Sequence, residues 1–184
     1  MDLTYCKEQL VSAGVVFDSG LTQEEFAAIE REYDFCFPLD LREFLGYALP
    51  VSKGWTDWRR EKRSEIEKRL NWPLEGMCFD IEHNSFWLES WGAKPALGEA
   101  CAIARAKVAD APHLIPIYSH RYMPDRPCIA GNPVFSIYQT DIIYYGADLF
   151  DYLCNEFEHS FGRAKYALGS QPRQIEFWSD LAMR

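Results

Sequence analysis

Four stretches of this chain hold residue types that could do chemistry. The first is Asp80, Glu82 and His83, within Phe79-Asp80-Ile81-Glu82-His83-Asn84. That segment alternates apolar and polar residues and predicts a strand or strand edge. On a strand Asp80 and Glu82 share one face, because side chains repeat every two residues. With His83 they could form a divalent-metal site or a carboxylate acid/base pair. The same pattern equally describes a strand edge with one polar face, and metal sites draw their ligands from several elements. The second stretch offers His120 with Asp141, and Ser136 or Cys128 as a nucleophile. No nucleophile elbow accompanies them.

The third stretch is His120-Arg121-Tyr122-Met123-Pro124-Asp125-Arg126-Pro127. It predicts a polar loop between two strands. Arg and Tyr are enriched in binding hot spots, and prolines lower the cost of ordering a loop. His120, Arg121, Tyr122, Asp125 and Arg126 are therefore the candidate protein-contact residues. The competing reading has Arg121 and Tyr122 tying the loop to backbone carbonyls. The fourth feature is a set of six tryptophans. Trp87 and Trp91, four apart, could stack a ligand, but Trp72, Trp87 and Trp178 read better as core residues.

The elements that must position these residues can be read in order. Leu3 to Ala13 predicts a short amphipathic helix ending at Gly14, and Val15-Val16-Phe17 a brief apolar segment. Thr22 with Glu25 is a capping box, followed by Phe26, Ile29 and Tyr33 on one helical face. Pro38 opens a second helix whose stripe is Leu41, Phe44, Leu45 and Ala48, with Pro50 ending it. A charged helix is expected from Gly54 to Leu70. Lys53 to Arg69 holds seven Lys/Arg and four Asp/Glu, which reads as a solvated mixed-charge face rather than a basic patch.

Asn71-Trp72-Pro73 and Gly76 predict a loop, and Pro95 to Ala109 a small-residue helix. Leu114 to Gly146 is the densest run of strand formers and predicts the sheet core. Asp148 to Phe157 predicts a helix, Arg163 to Arg173 a loop, and Ile175 to Ala182 a last short helix. Helices, then strands, then helices again predict a single α+β domain with a mainly antiparallel central sheet flanked by N-terminal and C-terminal helices.

Composition narrows the function classes. The chain has 184 residues, 48% of them hydrophobic, enough for a real core. A net charge of −9 argues against nucleic-acid binding, which needs a basic footprint. Cys6, Cys36, Cys78, Cys101, Cys128 and Cys154 show no zinc-type spacing and read as reduced core residues. With no signal-peptide pattern and no membrane-length apolar run, the expectation is a cytoplasmic protein without membrane association. There is no G-x-G-x-x-G, P-loop or H-E-x-x-H, so neither a cofactor nor a metal is expected.

The segment Phe37-Pro38-Leu39-Asp40-Leu41-Arg42-Glu43-Phe44-Leu45 resembles the opening signature of the SUKH superfamily. This is the domain of the fungal cell-wall-assembly (glucan synthesis) regulator and its bacterial relatives. Trp72-Pro73-Leu74-Glu75-Gly76, Phe86-Trp87, Leu114-Ile115-Pro116-Ile117-Tyr118, Gly131-Asn132-Pro133-Val134-Phe135-Ser136 and Asp141-Ile142-Ile143-Tyr144-Tyr145-Gly146 look like its bacterial branch. The resemblance spans roughly residues 20 to 157. It implies an α+β domain without enzymatic activity. It also implies a protein partner, either a polymorphic toxin neutralised by an immunity protein or a signalling component. An acidic protein suits a basic toxin domain. The alternatives are a small hydrolase using Asp80, Glu82, His83 and His120, and a small-ligand binder with a Trp-lined pocket.

Overall fold

The computed structural model describes residues 1–162 and 170–183. Part of the loop expected from Arg163 to Arg173 lies outside the described residues. The chain opens with α1 (Leu3–Ser12), β1 (Phe17–Ser19), α2 (Gln23–Tyr33), α3 (Leu39–Tyr47) and β2 (Ala48–Pro50). The long α4 (Arg63–His83), a 3-10 turn (Glu89–Trp91) and α5 (Leu97–Asp110) follow. Then come β3 (Leu114–Tyr118), β4 (Arg121–Pro124), β5 (Val134–Tyr138) and β6 (Asp141–Gly146), before α6 (Leu149–Glu156), α7 (Glu158–Phe161) and α8 (Trp178–Ala182). The four central strands form an antiparallel meander in the order β3-β4-β5-β6, and β1 pairs with β2 in a separate two-stranded ribbon. The architecture is α+β, as the element order predicts.

Local signals explain the N-terminal helices. The Thr22 side chain accepts from the Glu25 N–H while the Glu25 carboxylate accepts from the Thr22 N–H, closing the capping box. Glu25 also takes a bidentate pair from Arg59. The Arg59 guanidinium, and then the Thr22 N–H, pull the Glu25 carboxyl down to about 2. Leu41, Phe44 and Leu45 are buried on the inner face of α3. The stripe expected to include Ala48 ends a residue early, since Ala48 turns into β2 and pairs with Ser19.

The sheet is covered on both faces. Ile115, Ile117, Met123, Val134 and Tyr145 pack with the N-terminal helices and α6, whereas Leu114, Tyr122, Phe135, Ile137 and Ile142 pack with α4, α5 and α8. Burial on two faces is why β3 reads LIPIY with almost no polar interruption.

The largest departure from the expected elements is α4. Residues 53–62 are turns, bends and a β-bridge at Trp55 rather than helix, and the helix then runs unbroken through the predicted loop at Asn71-Trp72-Pro73 and most of the predicted strand at Phe79–Asn84, ending at His83. Pro73 has no N–H to give to the carbonyl of Arg69, four residues earlier, so a helix interior there should lose a bond. The phenol of Tyr122 on β4 donates to that carbonyl instead, at 2.9 Å. One turn on, a side chain at Gly76 would meet the Cα of Gln139 at 2.8 Å, so the β5–β6 turn sits directly on the helix backbone. Asp80 then accepts from the backbone N–H of Thr140 at 2.9 Å and from its hydroxyl. Three contacts from the sheet thus hold a helix that local propensity would have broken.

The mixed-charge segment is threaded with ion pairs, as its reading as a solvated face implies. Arg59 and Arg60 reach Asp18, Arg63 reaches Glu32 and Glu67, Lys68 pairs with Glu65, and Arg69 pairs with Glu61. The reading of all six cysteines as reduced needs correction. Cys36 and Cys128 form a disulfide with Cα atoms 6.2 Å apart, joining the α2–α3 connection to the β4–β5 loop. Cys6 and Cys78 are buried free thiols, and Cys101 is a partly buried one. Their spacing of 92 residues in sequence hid the pair, because only the folded chain brings the two loops together. No helix among the described residues is long and apolar enough to cross a membrane.

Candidate functional site

Half of the stretch expected to be a polar loop is strand, and residues 125–127 remain irregular. Ser119 and His120 form a turn, and Arg121–Pro124 is β4, an inner strand of the sheet. Arg121 is buried, and its guanidinium pairs with Glu156 at 2.7 Å and donates to the Ser136 hydroxyl at 2.8 Å. It also lies 3.8 Å from the centre of the Tyr145 ring. Tyr122 is buried with its hydroxyl spent on Arg69. The reading in which these two side chains tie the segment down describes them, although the partner of Arg121 is a carboxylate rather than a carbonyl.

Asp125 is only 4% exposed. Its N–H donates to the carbonyl of His113, and its carboxylate stands 3.4 Å from Nδ1 of the same histidine. Arg126 remains at the surface, with one guanidinium nitrogen donating to the carbonyls of Asp110 and Ala111. Of the five candidate contact residues, the fold leaves only His120 and Arg126 accessible.

The carboxylate/histidine constellation is not assembled. Because α4 replaces the expected strand, Asp80 and Glu82 do not share a face. Asp80 points into the protein, where burial would raise its pKa, but bonds from Thr140 and Asn84 outweigh this and lower it. Glu82 and His83 are exposed at the helix end, and the His83 ring lies 4.5 Å from that of Phe79. Among the described residues no hydrogen bond or ion pair links these three to His120, and no group of three or more His, Cys, Asp or Glu is arranged to hold a metal. Ser136, the alternative nucleophile, is engaged by Arg121.

What α4 and the β5–β6 hairpin do build is an aromatic surface. Trp72, Gly76, Phe79 and His83 recur at intervals of four, three and four residues, which places them on one helical face. Tyr138, at the end of β5, stands beside them. Trp72 is 47% exposed, Phe79 45% and Tyr138 60%. The core role expected for Trp72 is thus corrected, whereas Trp178 is fully buried and Trp87 partly so. Two grooves share Trp72 and Tyr138. The larger, about 530 Å3, runs past His120, Lys53 and the Glu61–Arg69 pair. The smaller, about 220 Å3, ends at Phe79 and Gln139.

His120 is half-buried at the rim, with Nδ1 3.1 Å from the Ser119 hydroxyl. Burial, and then the nearby Arg121 charge, lower its pKa and keep the ring neutral at pH 7. The surface therefore offers flat apolar rings edged by a neutral imidazole and by charged side chains such as Lys53, Glu65 and Lys68, which suits a contact patch. Tyr138 and Phe79 escaped the sequence reading. Their signal was present, since Phe79 lies seven residues after Trp72, but it is visible only once the segment is known to be helix.

No family model matches the chain, and neither a curated protein nor a solved structure matches it.

Proposed function

We propose that this chain is a non-enzymatic protein-binding domain of the SUKH type, acting as an immunity protein against a polymorphic toxin or as a regulatory interaction module. The observation that carries the reading is the exposed aromatic surface of Trp72, Phe79 and Tyr138, continuous with His120 through two linked grooves. Aromatic side chains are the residue types that dominate binding energy when a partner covers them. The α+β architecture with a central antiparallel meander agrees with what the family resemblance implies. The net charge of −9 would steer a basic toxin domain toward the protein and speed association. Asp80 and Ser136, which a hydrolase would need free, are committed to structural bonds.

The reading keeps the protein in the cytoplasm, where cysteines such as Cys6 and Cys78 stay as thiols. The Cys36–Cys128 bridge favours an oxidising compartment instead. Thiol counting on protein trapped in its native host decides between them, with six reactive thiols after denaturation expected for the cytoplasm and four for the oxidised form.

Affinity capture from the native host, run with the wild type and a Trp72→Ala/Tyr138→Ala variant, tests the function. The wild type should retain a protein partner that the variant loses while both remain folded. Recovery of no partner, toxin domains included, would overturn the protein-binding reading. Equal retention by both would move the contact face elsewhere.

A further inference from the structure

On the other side of α4 lies a second concavity that the aromatic surface does not use. It is a cleft of about 300 Å3. Its walls come from five parts of the chain: the end of α2 and the residues after it, α4, the last turns of α5, the lead into β3, and α8. Most of the lining is apolar. Phe35, Leu114 and Trp178 form buried walls. The indole N–H of Trp178 is already satisfied by the carbonyl of Pro112 at 2.7 Å, so that tryptophan presents apolar surface without an unmet donor.

The polar groups on this cleft are few and unbalanced in charge. Glu67 contributes a carboxylate, but Arg63 holds it at 2.7 Å. Arg105 contributes a guanidinium that makes no hydrogen bond or ion pair among the described residues. His113 contributes an imidazole fixed from behind, because the buried Asp125 carboxylate stands against Nδ1 and leaves Nε2 as the outward nitrogen. The Asp125 carboxylate facing Nδ1, set against partial burial, raises the pKa of His113 and favours the cation. An acidic protein thus carries, at one apolar cleft, an unpaired arginine and a histidine whose neighbour stabilises its charge.

We propose that this cleft binds a small organic monocarboxylate, with its apolar body against Phe35, Leu70, Leu74 and Trp178 and its carboxylate on Arg105 and His113. The volume lies at the low end of the range for ligand clefts, roughly 300–1,000 Å3, which limits the ligand to about the size of a bicyclic aromatic acid. Arginine is the side chain best shaped for a carboxylate, through two parallel N–H bonds. The site is independent of the aromatic contact face and stands whether or not a protein partner is found.

The test is a titration of the isotope-labelled full chain followed by NMR. The probes are benzoate, 3-phenylpropionate, 2-naphthoate and octanoate, each paired with its neutral carboxamide and taken to several millimolar. At least one acid should give saturable shifts confined to the cleft, including the Trp178 indole N–H, and bind about ten-fold more tightly than its amide. Arg105→Gln is exposed and should fold normally. It should remove that preference for the acid while leaving amide binding unchanged. The proposal fails if no acid gives saturable shifts at the cleft. It fails equally if acid and amide bind alike, or if Arg105→Gln leaves the preference intact.

Discussion

The two concave surfaces flanking α4 each present one histidine, and the fold drives the two histidines in opposite directions. At the apolar cleft His113 is backed by the buried carboxylate of Asp125, which raises its pKa above the ordinary 6.5. At the aromatic groove His120 is desolvated beside the Arg121 guanidinium, and its pKa falls below 6.5. Position on the surface does not separate them, since both are half-buried. What separates them is the charge standing behind each ring. The cationic imidazole is thereby favoured at the cleft and the neutral one at the groove.

The pH dependence that follows has opposite signs at the two sites. His113, with a raised folded pKa, contributes stability that is fully present below 6.5 and fades as pH rises through its raised value. His120, with a depressed folded pKa, contributes stability above 6.5 that is lost as pH falls through its lowered value.

The severest way to break the comparison is to remove the charge that stands near His120. Arg121→Met leaves the partly buried Glu156 without its partner and should destabilise the protein by about 2–4 kcal/mol in chemical denaturation. A loss below about 1 kcal/mol would show that the Arg121–Glu156 pair does not secure β4. Next in size is Tyr122→Phe, which strands the Arg69 carbonyl that Pro73 cannot bond. The expected cost is about 1–3 kcal/mol, read from the same transitions. Restoring an N–H with Pro73→Ala in the Tyr122→Phe background should recover part of that loss, and a simple sum of the two single effects would contradict the assigned role.

Asp125→Asn sharpens the comparison at the cleft. NMR titration should show His113 moving down toward 6.5 while His120 stays where it is. The stability gap between Asp125→Asn and wild type should narrow as pH rises, and a gap independent of pH would reject the pairing. The smallest effect on folding belongs to the groove. Trp72→Ala should change stability by only about 0.5–1 kcal/mol, because the ring is half-exposed, while partner capture falls sharply.

Several features of this architecture were readable from short windows of sequence. Thr22 and Glu25 sit three residues apart and cap their own helix, and α5 follows from a run of small helix formers. The LIPIY, VFSIY and DIIYYG runs announce strands because each is apolar enough to be buried. The candidate site was less legible for a definite reason. Pro73 and Gly76 signal a loop to any local reading, yet Tyr122, Gln139 and Thr140, between 53 and 63 residues from the helix positions they touch, stabilise helix there. That one reversal moved Asp80 inward and carried Trp72 and Phe79 onto an exposed face.

Sequence by itself determined the class of fold and the capped helices, because those depend on periodicity and on bonds within a few residues. Only the tertiary structure decided that Arg121 and Tyr122 are buried struts, that Cys36 meets Cys128, and that Asp125 stands behind His113. Each of those outcomes depends on a partner distant in the chain, and the sign of a charge or the exposure of a ring is settled by such partners and not by the residue's own type.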